Sequence, residues 1–149
     1  MANSQAICNS FKVDLLNGKH AFGTTVTRGS TSADVFKGAL YLVSGTLGSG
    51  TTVYSSSNEV TSTNYTAGGQ TLSANAPILS SNTACWTPTS SLVWTNVTLT
   101  SFDSLLVYNA SQANATVAVF TFGSQALTAG NFTLTMPANA AGTALLQIQ

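Results

Sequence analysis

Along this chain apolar and polar side chains alternate in short runs and do not form long helical stripes. From Asn131 to Met136, Phe132, Leu134 and Met136 fall on one face and Asn131, Thr133 and Thr135 on the other, the period of two that marks a half-buried strand. Pro137 ends it. Residues 115–122 differ, because Val117 and Val119 share one face while Ala118, Phe120 and Phe122 fill the other. Both faces are expected to be covered, as in a central strand or a strand at a subunit interface. Residues 35–43, 51–54, 92–99, 104–108 and 143–148 complete a set of seven predicted strands, and 60–65 and 69–72 are two less regular ones.

Glycines punctuate this pattern. Gly45, Gly48 and Gly50 mark one predicted turn, Gly68-Gly69 a second, and the stretch from Gly123 to Gly130 a third. Residues 73–91 hold Pro77, Pro88, the polar run 80–83 and Cys85-Trp86, and read as a long loop. Residues 10–18 read as a short helix, with Ser10 as N-cap, Phe11 and Leu15 four apart and Asn17-Gly18 as the stop. The rival reading makes Asn17-Gly18 a hairpin turn between alternating strands. Residues 1–9, rich in Ala, Asn, Ser and Gln, read as an arm with no core to join. No repeat of 20–50 residues is visible, which removes solenoids and propellers. The predicted fold is all-β: a single β-sandwich over residues 10–149, jelly-roll-like or immunoglobulin-like, with a short N-terminal helix.

Composition adds a constraint on partners. The 149 residues suit one domain, and 44% apolar content with mean hydropathy +0.23 and zero net charge predicts folding over disorder. Four basic and four acidic residues make only 5% of the chain, against ~25% in ordinary soluble domains. Lys12, Lys19, Arg28 and Lys37 cannot form the cationic stripe that nucleic acid requires, nor the basic face of a membrane-surface helix. The polar surface must instead come from 19 Ser, 23 Thr and 12 Asn. A surface of short, neutral side chains is easily buried against a neighbour, and zero net charge leaves no long-range repulsion between copies. The expectation is a component of an assembly.

Candidate chemistry is sparse. Residues 1–12 lack the basic and apolar regions of a secretory signal, which predicts synthesis in a cytosol, and the longest wholly apolar run, 39–43, cannot span a membrane. Cys8 and Cys85, 77 positions apart, read as isolated reduced thiols. The five Asn-x-Ser/Thr sequons at Asn64, Asn96, Asn109, Asn114 and Asn131 are discounted without a signal peptide. His20, Asp14, Asp34, Glu59 and Asp103 are the whole supply for acid–base work, with no nucleophile elbow, so the expectation is no enzyme. His20 is expected at a surface or interface near Phe22. No metal-ligand spacing occurs, and the glycines at 45–50 carry no Lys and lead into no helix, so neither metal nor cofactor is expected. Trp86 and Trp94 offer stacking faces for a glycan; the competing reading makes Trp94 core and Trp86 its cap.

Four stretches, in order, resemble a family of small virion proteins of tailed bacteriophages: SFKVDLLNGKHAFG (10–23), FKGALYLVSGTLGSGTTVYSSSNEVTSTNYTAGGQTLS (36–73), WTPTSSLVWTNVTLTSFDSLLVYNAS (86–111) and ATVAVFTFGSQALTAGNFTLTMPANAAGTALLQI (115–148). The resemblance covers nearly the whole chain. Its most specific elements are the order of the blocks and the pairing of NEVTSTNYTAGG with VAVFTFGSQALTAGNFTLTMP. It implies a structural protein of the virion. The favoured role is a head decoration or cement protein on the capsid exterior, bridging capsomers, assembled in the host cytoplasm, with the major capsid protein as partner and a homo-oligomer, trimer before dimer, as its own state. A tail, fibre or adaptor protein touching the host surface, through a glycan in one version, is the alternative. Candidate interface residues are Phe11 and Leu15 on the predicted helix, Trp86 on the long loop, and Phe120 and Phe122 on the strand with two apolar faces.

Overall fold

The computed structural model describes residues 2–8, 10–11, 15, 18–24 and 32–148. Among these, eight strands form two sheets in which every pairing is antiparallel, an all-β sandwich. The strands are β1 (Ala6–Ile7), β2 (Phe36–Leu42), β3 (Gln70–Thr71), β4 (Ile78–Ser80), β5 (Thr83–Trp86), β6 (Leu92–Asn109), β7 (Ala115–Leu134) and β8 (Leu146–Ile148). The larger sheet runs β1-β7-β6-β2-β3 and the smaller β4-β5-β8. This strand order does not by itself define a jelly roll. Of the predicted short helix, Ser10, Phe11 and Leu15 have helical backbone, and Gly18, at φ +64°, donates to the Leu15 carbonyl as a C-terminal stop does. Residues 12–14 and 16–17 lie outside the described ones.

β6 and β7 form one long hairpin where the sequence predicted four separate strands. Residues 92–99 and 104–108 join into β6, and residues 115–122 and the first four of 131–136 join into β7. The reason is bulges. On β6 the buried residues fall at Trp94, Val97, Leu99 and Phe102, so the strict period of two slips twice by one residue, and the ladder shifts register at both slips. Asn96 takes φ +51° in the first slip. The glycine stretch read as a turn is also strand: Gly123 at φ +77° and Ala129 at +45° sit where β7 holds extra residues opposite β6. Inserting a residue here re-aims the next apolar side chain inward without ending the strand.

Other predictions change for equally local reasons. The long loop at 73–91 contains the β4–β5 hairpin, whose tight turn places Ser81 at φ +52°. Residues 51–54 form no strand, only a bridge from Val53 to Ala115, with Tyr54 N donating to Asn114 O and Thr116 N to Thr52 O. Residues 60–65 likewise hold only the Ser62–Tyr65 bridge. β3 and β8 are shorter versions of the predicted 69–72 and 143–148. At Gly69, φ +68°, a Cβ would overlap the Gly38 carbonyl, so only glycine lets β3 approach β2 here.

The arm predicted to lack a core is part of the large sheet. β1 pairs Ala6 with Val119 and Ile7 with Ala118, and Cys8 N donates to Val117 O. The Asn3 amide donates to Leu42 O, Asp103 Oδ1 and Ser104 Oγ and accepts from Leu47 N. Short polar side chains hold this segment, which is why no hydrophobic pattern announces it. The sheets meet where Trp86 on β5 packs on Phe36 of β2, ring centroids 5.7 Å apart, and Leu146 joins the same core. No helix among the described residues is long and apolar enough to cross a membrane.

Candidate functional site

Three of the five candidate interface residues come together. Phe11 and Trp86, 3% and 4% exposed, and half-buried Leu15 line an apolar cavity of about 130 Å³ with Phe22, Leu146 and Ile148. The aromatic wall is ordered: Phe22 stacks on Phe36 at 4.1 Å and meets Trp86 edge-on at 4.7 Å. The Trp86 indole N–H donates to the Phe22 and Asn75 carbonyls at 2.9 and 3.1 Å. With its polar atom satisfied, the ring presents only carbon to the cavity.

Phe120 and Phe122 lie elsewhere, half-buried on β7. Phe122 meets Phe102 edge-on at 5.9 Å and lies 5.6 Å from Phe132. Here β7 becomes an edge. Its outer side is covered by residues 52–54, Cys8 and β1 as far as Val119, and Thr121 meets Gln5. From Phe122 to Leu134 no described strand pairs with it. The opposite edge of β6 is covered over this length by side chains, Ser62 Oγ accepting from Thr98 N, Asn64 donating to Asn96 O and Gln70 to Val93 O. The open edge carries no charge, and Asp103 is the sole charged residue between positions 60 and 149.

Several titratable groups are built into the frame. Glu59, 5% exposed, accepts from Tyr54 OH at 2.6 Å, Tyr65 OH at 2.7 Å and Gly68 N at 2.8 Å. Tyr108 donates to Gly68 O and stacks on Tyr54 at 4.7 Å, and Tyr41 donates to Ser55 O. All four tyrosines of the chain therefore gather at one carboxylate. Burial first, and then Glu59, by its charge and for Tyr54 and Tyr65 first by their hydrogen bonds to it, holds all four phenols above their ordinary pKa. Burial likewise raises the thiol of Cys8, and both cysteines are buried and free. His20, expected at a surface or interface near Phe22, does lie beside Phe22 but is buried at 8% exposure among Phe11, Phe22 and Phe36, with Nδ1 3.0 Å from Asn109 Nδ2. The same amide donates to Asp34 Oδ2, which also accepts from Ala21 N. These contacts orient a loop against β6. Among the described residues no three His, Cys, Asp or Glu are placed to hold a metal ion.

Both tryptophans are buried, so neither offers the stacking face a glycan would need. Trp94, 2% exposed, packs on Tyr65 and Phe132, while Trp86 packs on Phe22 and Phe36. Sequence reasoning missed the tyrosine cage, the open edge of β7 and the exposed apolar residues of the small sheet. A lone Glu between tyrosines at 54 and 65 was a visible signal of the cage. Comparison of the chain with protein-family models, with curated proteins and with solved structures finds no match in any of the three.

Proposed function

We propose that this chain is a structural protein of a tailed-phage virion, a head decoration or cement protein that self-associates and binds the outer capsid surface, bridging capsomers of the major capsid protein. The observation that carries this reading is the uncharged open edge of β7 from Phe122 to Leu134. A row of unpaired backbone groups flanked by Thr, Ser and Gln side chains is a surface suited to cover by another chain. The resemblance of residues 10–148 to small virion proteins supplies the kind of assembly. Many weak, neutral contacts across capsomer seams would add up to firm attachment without covalent chemistry.

The test is addition of the purified protein to heads that lack it. Occupancy is expected to change by less than about twofold between low salt and 1 M salt, because screening acts on charge pairs and this surface has few. Decorated heads are expected to release their genome at a higher temperature than bare heads. Failure to bind heads, or equal release temperatures, overturns the cement role. The glycan version of a host-contacting alternative loses its support with the burial of Trp86 and Trp94.

A further inference from the structure

The small sheet presents one apolar face whose two halves have different fates. Cross-strand partners share a face, and so do residues two apart on a strand. Leu79, Ala84 and Ile148 therefore form one row, and Trp86 and Leu146 the next. Trp86 and Leu146 are buried against the core, whereas Leu79 is 75% and Ile148 55% exposed. Ala84 lies between these two large side chains and is itself exposed, which makes a notch flanked by ridges. The notch opens into the 130 Å³ apolar cavity, because Ala84, Ile148, Trp86 and Leu146 all line it.

We propose that a second copy of this chain docks on this row about a two-fold axis, with Leu79 of each copy seated over Ala84 in the cavity of the other. Size supports it: an apolar space of about 150 Å³ holds a benzene-sized group, so this one, about 130 Å³, suits a single leucine side chain. Position supports it too. A ridge and a notch side by side on one face become mutually complementary under a two-fold rotation, the isologous arrangement in which each surface is its own partner. Charge allows it, since β4, β5 and β8 carry no charged residue and two copies approach without repulsion. The inference rests on the self-association half of the proposed function and not on the particle it decorates.

Sedimentation of the full chain over a wide concentration range tests this. The wild type is expected to dimerise. Leu79→Asp removes an exposed side chain, so its urea midpoint, read at a concentration where both proteins are monomeric, should match the wild type, while its association weakens about a hundredfold or more, two buried leucines being lost per dimer. Ala84→Phe, which fills the notch from within, should weaken association similarly. Val53→Asp, at a 50% exposed apolar position outside the small sheet, should leave it unchanged. Equal association of wild type and Leu79→Asp refutes this pairing and leaves self-association standing. A wild type that stays monomeric throughout refutes both, and head occupancy remains a separate measurement. A trimer broken by Leu79→Asp refutes the two-fold geometry. Benzene that raises the urea midpoint of a monomeric wild type, but not of Ala84→Phe, assigns the cavity to a small apolar ligand and overturns the proposal.

Discussion

The β6–β7 hairpin is one piece of secondary structure in two environments. Near its turn, residues 104–109 and 115–121 have β2 on one side and β1, Cys8 and residues 52–54 on the other, and nearly every side chain is buried. Farther out, residues 92–100 and 122–134 keep their pairing with each other but lose the outer flank of β7, and Thr, Ser, Asn and Gln line one face. Strand pairing is common to both halves, so pairing alone does not set burial. The flanks do. The chain spells this difference as a run of Leu, Val and Ala in one half and as alternation with Thr in the other.

The widest gap between the halves should appear on truncating matched leucines. Leu106→Ala, at a fully buried site, is expected to lose about 3–4 kcal/mol, against about 1 kcal/mol for half-buried Leu127→Ala, both read from urea unfolding. Equal losses would mean that the open edge of β7 is covered in solution.

Removing the cover of the inner half comes next. Glu59→Ala leaves the buried Tyr65 hydroxyl and Gly68 N–H without their acceptor, an expected loss of about 2–3 kcal/mol. The cage also fixes an alkaline limit. The four phenols have raised pKa values in the fold, so the unfolded chain, with ordinary values near 10, gives up its protons first. Their contribution to stability is fully present below pH ~10 and is lost as pH climbs from there through the folded values. Absorbance near 295 nm should therefore rise only as the protein unfolds. A smooth tyrosinate titration around pH 10 in the folded protein would contradict the cage.

The smallest effect is expected at the bulge that separates the halves. A Cβ at Gly123 meets nothing within 4 Å, but its φ of +77° strains any other residue, so Gly123→Ala should lose about 1 kcal/mol with hairpin pairing unchanged by amide exchange. A gain in stability would show that the bulge can relax.

The sequence announced those elements whose hydrophobic period is unbroken. The alternation at 131–136, as far as Leu134, and the two apolar faces at 115–122 both appear in β7, and 35–43 contains β2. Where a bulge shifts the period, as between Leu99 and Phe102 or from Gly123 to Gly130, the same rule read an interruption as an end. The β4–β5 hairpin was hidden for a different reason: Pro77 and the Ser-Ser-Asn-Thr turn dominate a segment whose strands are only three and four residues long. Phe11, Leu15 and Trp86 converge because two segments distant in sequence meet at the small sheet, a relation no local pattern encodes. Leu79 was passed over as one apolar residue in a loop, and its importance comes from Ala84 and Ile148 beside it in register.

The placing of β1 sets an order in time. Asn3 bonds to Leu42 and Leu47, but Asp103 and Ser104, its other partners, and Ala118, the partner of Ile7, are made about a hundred residues later. At ~5–20 residues per second, roughly ten seconds separate the synthesis of Ile7 from that of its partner. The residues of β1 must wait for an edge that does not yet exist. Such long-range closure slows folding, and the large sheet cannot be completed until the chain through β7 has been made.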